Sequence, residues 1–72
     1  MTNMDAEIIL ALADNNMNVS EASRKIFVHR NTLNYHFKKI LKETGLNPCN
    51  FYDLSALVPI ARNVFESEVV NG

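Results

Sequence analysis

The apolar residues of this chain fall in segments that repeat every three or four positions, and no segment alternates in steps of two. The first period lines apolar side chains along one side of a helix; a half-buried strand needs the second. The expected fold class is therefore all-α. A length of 72 residues allows one small domain, 1–72, near the lower limit for a core that stands without disulfide or metal staples. Apolar residues make up 47% of the chain, enough to fill such a core.

Four helices can be laid out along the chain. In "MDAEIILALADN", Met4, Ile8, Ala11 and Leu12 share one face, Asn3 is the expected cap, and Asp5 and Glu7 suit the positive helix start. Ile9 and Leu10 lie off that stripe. "DNNMN" breaks the helix, because asparagine tolerates left-handed turns. A short second helix follows in "NVSEASRKIF", with Asn18 or Ser20 as cap and Val19, Ala22, Ser23 and Ile26 inward. "FVH" is a turn, His29 caps a third helix from Arg30 to about Thr44, and Gly45 stops it.

The fourth helix starts after Pro48, with Asn50 as cap and Asp53 at its third position. Phe51, Leu54, Leu57, Val58, Ala61 and Phe65 are expected inward, and Pro59 is expected to kink or split the helix. Leu57, Ile60 and Val64 form a second stripe. With Ile9 and Leu10, that stripe is more apolar surface than so small a domain readily buries, so a further docking partner is expected.

Composition removes several function classes. Cys49 is the only cysteine, which forbids an internal disulfide and fits a reducing, cytoplasmic setting. Neither a signal peptide nor a membrane span is expected, since no basic segment leads a long apolar run. His29, His36 and Cys49 lack zinc-like spacing, so no metal or other cofactor is expected. Ser20 and Ser23 have no base and orienter nearby, so no catalytic residue is assigned and the chain reads as a non-enzyme.

Net charge is only −1, yet the charges are segregated. Arg24, Lys25, Arg30, Lys38, Lys39 and Lys42 are six of the seven cations, with no acid between Ala22 and Lys42. Outside that window Arg62 alone stands against eight acids, a balance of −7. The pattern is a basic patch on an acidic body, as a solvated helical face or a polyanion-binding surface would carry.

The third helix shows what that patch holds. With Leu33 set at zero and about 100° per residue, Phe37, Ile40 and Thr44 fall within about 40° of it, and Leu41 near 80°. Asn31, Tyr35, Lys38 and Lys42 gather within about 40° of the opposite side, flanked by Asn34 and Lys39. His36 lies about 60° from the core centre and reads as a half-buried packing residue. Amide, phenol and ammonium groups on one stripe suit a duplex: Asn and Arg pair with base edges, while lysine and tyrosine hold phosphates. A short helix, a tight turn and a longer polar-faced helix form a helix-turn-helix over about 18–44.

The stretch "NVSEASRKIFVHRNTLNYHFKKILKETGLN" resembles the C-terminal helix-turn-helix of PucR-type regulators, which include sugar-diacid and purine-catabolism activators. The likeness rests on "NVSEAS", "HRNTL", Tyr35 and the "TGL" helix end, and runs from Asn18 to about Ala61. A looser, Fis-like hairpin resemblance covers Asn18 to Leu46. The family usually has arginine where this chain has His36, and many other helix-turn-helix proteins place glycine in the turn that holds Phe27. The resemblance implies a small four-helix domain that binds double-stranded DNA as the output of a bacterial-type transcription regulator. It also implies an N-terminal sensor region or a homodimer partner, this chain being an excised or stand-alone output domain.

Arg30, Asn31, Thr32 and Asn34 are the expected base-edge residues. Ser20, His29, Tyr35, Lys38 and Lys39 are the expected phosphate residues. Capping explains the polar start of the third helix without DNA, and a protein-interaction or oligomerisation module is the alternative function. Steep loss of affinity with salt separates a duplex binder from it.

Overall fold

The computed structural model describes the backbone of residues 1–71 and the side chains of residues 1–67. It contains α1 (Asn3–Asp14), α2 (Val19–Ile26), α3 (Arg30–Thr44) and α4 (Phe51–Asn71), and no strand among the described residues. The all-α, four-helix expectation holds.

Helix starts follow local chemistry. Thr2, not Asn3, caps α1: its Oγ1 accepts from the Asp5 amide at 3.1 Å, and the Thr2 amide donates to Asp5 Oδ2 at 2.9 Å. This reciprocal pair satisfies two donors, which Asn3 as cap would leave to water. Asn18 caps α2 by accepting from the Glu21 amide at 2.9 Å, and Ser20 lies inside the helix. Asn50 Oδ1 accepts from the Asp53 amide at the start of α4, as expected. Asp53 Oδ2 in turn accepts from the Asn47 amide at 3.0 Å and braces the α3–α4 turn.

Turns use the left-handed region. Asn16 and Met17 adopt φ 56° and 63° between α1 and α2, and Phe27 adopts φ 58° between α2 and α3. Gly45 ends α3 at φ 77°, where a residue without Cβ is at ease.

α1 is the keel. It packs most extensively on α4, and also contacts α2 and α3, while α3 rests on α1 and α2. Ile8, Ile9, Leu12, Ala22, Leu33, Ile40, Leu57 and Ala61 are fully buried or nearly so. Ala22 at the centre of α2 lets its neighbours approach closely.

The packing corrects several inward assignments. Ile9 and Leu57, expected to be partly surplus, lie at the centre of the core, because α4 turns Leu54, Leu57, Ala61 and the half-buried Val64 toward α1. Phe51 and Phe65, expected inward, are 61% and 37% exposed, Val58 is half-buried, and Ile60 of the second stripe is 46% exposed. Met4 on α1 is exposed as well. Thr44 has the period of a core residue but lies past the last buried turn. Its hydroxyl donates to the Ile40 carbonyl and accepts from the Leu46 amide. α4 passes through Pro59 as one helix rather than splitting there.

Candidate nucleic-acid interface

α3 is fixed from below by Leu33, Phe37 and Ile40, all buried. At its start the His29 ring accepts from the Asn31 amide, Nδ1 to N 3.0 Å, so the cap assigned to His29 is present. The geometry sends Arg30, Asn31, Thr32, Asn34, Tyr35, Lys38 and Lys42 into solvent. Tyr35 is 64% exposed, with its ring edge-on to His36 at a centroid distance of 5.4 Å. Ser20 is half-buried in the first turn of α2.

Beside this open face lies a closed ionic cluster. The Asp5 side chain on α1 is fully buried. Its Oδ1 lies 2.5 Å from His36 Nδ1 and its Oδ2 lies 2.7 Å from Lys39 Nζ. An ionised carboxylate only accepts, so His36 Nδ1 carries the proton of that bond. Glu43 Oε2 adds a second anion 3.6 Å from Lys39, and the Met1 ammonium lies 3.8 Å from Glu43 Oε1. Burial by itself would raise the Asp5 pKa, but hydrogen bonds from Lys39, the Thr2 amide, His36 and the Thr2 hydroxyl outweigh it. They hold the carboxyl well below the usual carboxylate range. The same Asp5 bond pushes Lys39 up.

This cluster changes the roles of three residues. Asp5 suits the positive start of α1 and also ties α1 to α3. His36 is half-buried as expected, and its packing comes with a hydrogen bond to Asp5. Lys39, an expected phosphate residue, has its ammonium paired with Asp5 within the domain. One signal for the cluster was present in the sequence. Asp5 is spaced i, i+4, i+7 with Ile9 and Leu12, both of which are buried.

Ion pairing also sorts the basic window. Arg24 pairs with Glu21, one turn earlier on α2. Lys25 lines a groove with Glu7, Asp14 and Phe65, between α1, α2 and α4. Arg30, Lys38 and Lys42 take part in none of the ion pairs among the described residues. Uncompensated positive charge therefore concentrates on the outer face of α3.

A groove of about 320 Å³ runs beside that face, lined by Asn34, Phe37, Lys38, Leu41, Asn47 and Cys49. The Cys49 thiol is exposed at the α3–α4 turn, and partial burial of its sulfur raises its pKa. No cluster of three or more metal-ligating side chains forms among the described residues. No helix among them is long and apolar enough to cross a membrane.

The model of one protein family, described as the PucR C-terminal helix-turn-helix domain, matches residues 6–58, well over half of the chain. Its match takes in most of α1, all of α2 and α3, and the first turns of α4. No curated protein and no solved structure matches the chain.

Proposed function

Because the chain belongs to the PucR C-terminal helix-turn-helix family, we propose that it binds double-stranded DNA sequence-specifically as the output domain of a transcription regulator. The observation that carries the reading is the outer face of α3. Arg30, Asn31, Thr32 and Asn34 stand exposed around its first turn, and Tyr35, Lys38 and Lys42 continue the same side. Structural polar side chains of this helix, by contrast, sit at its ends or turn toward Asp5.

In this reading the N-terminal end of α3 enters the major groove. Arg30 and Asn31 have the fork and amide geometry that pairs with guanine and adenine edges, Thr32 offers a methyl and a hydroxyl, and Asn34 extends the contact. Tyr35 and Lys38 hold phosphates along the helix, Ser20 does so from the start of α2, and His29 flanks them. Lys39 acts from within, by fixing α3 on α1. The acidic remainder of the chain keeps binding modest away from the preferred sequence.

A cytoplasmic setting goes with this role. A second copy or an N-terminal sensor region would join through the exposed edge of α4 that carries Ile60. Two copies would place their α3 helices on half-sites roughly 34 Å apart. The deciding experiment is enrichment of bound sequences from a random duplex pool, followed by titration at two salt concentrations. Enrichment of one motif, with affinity falling steeply as salt rises, is the expected result. A folded chain that enriches nothing and binds no duplex at low salt would overturn the reading.

A further inference from the structure

Phe27 is the most exposed large apolar residue among the described residues. Its neighbours Ile26 and Val28 pack against the core, while Phe27 between them is 95% exposed. It is the cap that ends α2, with a backbone φ of 58°. Glycine or asparagine adopts that conformation at little cost, and a bulky side chain does not. The fold thus carries, on a strained backbone, an aromatic ring that is solvated and without packing. An interior role does not explain it.

Its surroundings are polar and open to solvent. Arg24, Lys25, His29 and Arg30, the charged or titratable residues nearest in sequence on either side, are all exposed. Phe27 precedes the His29 cap by two residues, so its Cα lies at most roughly 7 Å from that of His29. The major groove is about 12 Å wide, so a ring at that position reaches the groove wall when the start of α3 lies inside. The wall is not wholly polar. Thymine methyl groups and deoxyribose edges present apolar surface there.

We propose that Phe27 is a DNA-contacting residue, its ring packing against the apolar surface of the duplex beside the helix start that Arg30 and Asn31 occupy. The proposal rests on the reading of α3 as the groove-entering helix. In this arrangement the ring is buried only in the complex, which accounts for its exposure in the free domain. The contact is uncharged, so it adds affinity without releasing counterions.

Phe27→Asn and Phe27→Gly provide the test, because both suit the left-handed turn. The probe is a duplex enriched by the wild-type chain from a random pool. Each variant is expected to melt at the wild-type temperature or higher, yet to bind roughly five- to tenfold more weakly, as loss of a partly buried ring implies. The salt slope should stay unchanged, because no phosphate contact is lost. Phe27→Leu should recover most of the affinity. Replacing thymine by uracil in the probe locates the contact: weaker wild-type binding assigns the ring to a base methyl, and equal binding assigns it to deoxyribose. If both small variants bind as tightly as the wild type, the Phe27 contact does not exist while the reading of α3 stands. A wild-type chain that binds no duplex removes both.

Discussion

Lys38 and Lys39 are neighbours on the same helix with the same side chain, yet the fold puts them to opposite uses. Lys38 stands on the open face among Asn31, Asn34 and Tyr35, and Lys39 turns toward a fully buried carboxylate on α1. About 100° of helical rotation separates them. The inner edge of α3 is thus a closed electrostatic unit in which Asp5 is met by two donors, whereas the outer face carries charge the domain leaves unanswered. Cations in a basic window are therefore not equivalent: Lys39 has an internal counter-ion and Lys38 is in none of the ion pairs among the described residues.

The largest expected effect attacks the closed side. Asp5→Ala removes the carboxylate shared by His36, Lys39 and the α1 cap, and should destabilise the domain by about 2–3 kcal/mol. A urea titration should show a lower midpoint with an unchanged slope. A shift within about 0.5 kcal/mol would mean that the cluster holds nothing together.

The open side should respond in the opposite way. Asn31→Ala should leave stability within about 0.5 kcal/mol of the wild type. It should cost about 1–3 kcal/mol of binding to the preferred duplex and relax the preference at one position. An unchanged preference in a repeated pool enrichment would take Asn31 off the base-reading edge.

Acid separates the two regions without mutation. The folded-state pKa of Asp5 is depressed, so its contribution is fully present above the unfolded value near pH 4 and is lost as pH falls toward the folded value. In that window the unfolded chain binds more protons, and stability should fall by about 1.4 kcal/mol per pH unit from this group. Asp5→Asn should flatten that acid limb. Parallel curves for the two proteins would show that Asp5 gains nothing from its partners.

The smallest effect compares the neighbouring lysines directly. Lys38→Ala should lower the slope of log affinity against log salt by about 0.9 and weaken all sequences alike. Lys39→Ala should leave that slope unchanged and lower the melting temperature instead. Equal slope changes for the two variants would erase the distinction.

These contrasts also explain which parts of the molecule were legible in the sequence. Caps at Asn18, His29 and Asn50 and the stop at Gly45 could be read because each is satisfied within a few residues of itself. The buried face Leu33, Phe37 and Ile40, and hence the exposed face opposite, followed from helical period alone. Asp5 finds its partners 31 and 34 residues away, which no local pattern encodes. The rotation of α4 was hidden for a related reason. Two apolar stripes ran side by side along it, and contact with α1 decided that Leu57 rather than Phe65 would be buried.

The groove beside α3 makes Cys49 useful as an observation point. It is the chain's single thiol, it is exposed, and it shares that groove with Asn34 and Lys38. A fluorophore or nitroxide coupled there sits against the outer face of α3 with no residue substituted and no second attachment site. Because partial burial raises the thiol's pKa, coupling should proceed best at mildly alkaline pH. A reporter so attached would register occupancy of that face directly, through its own mobility or emission, whatever molecule arrives.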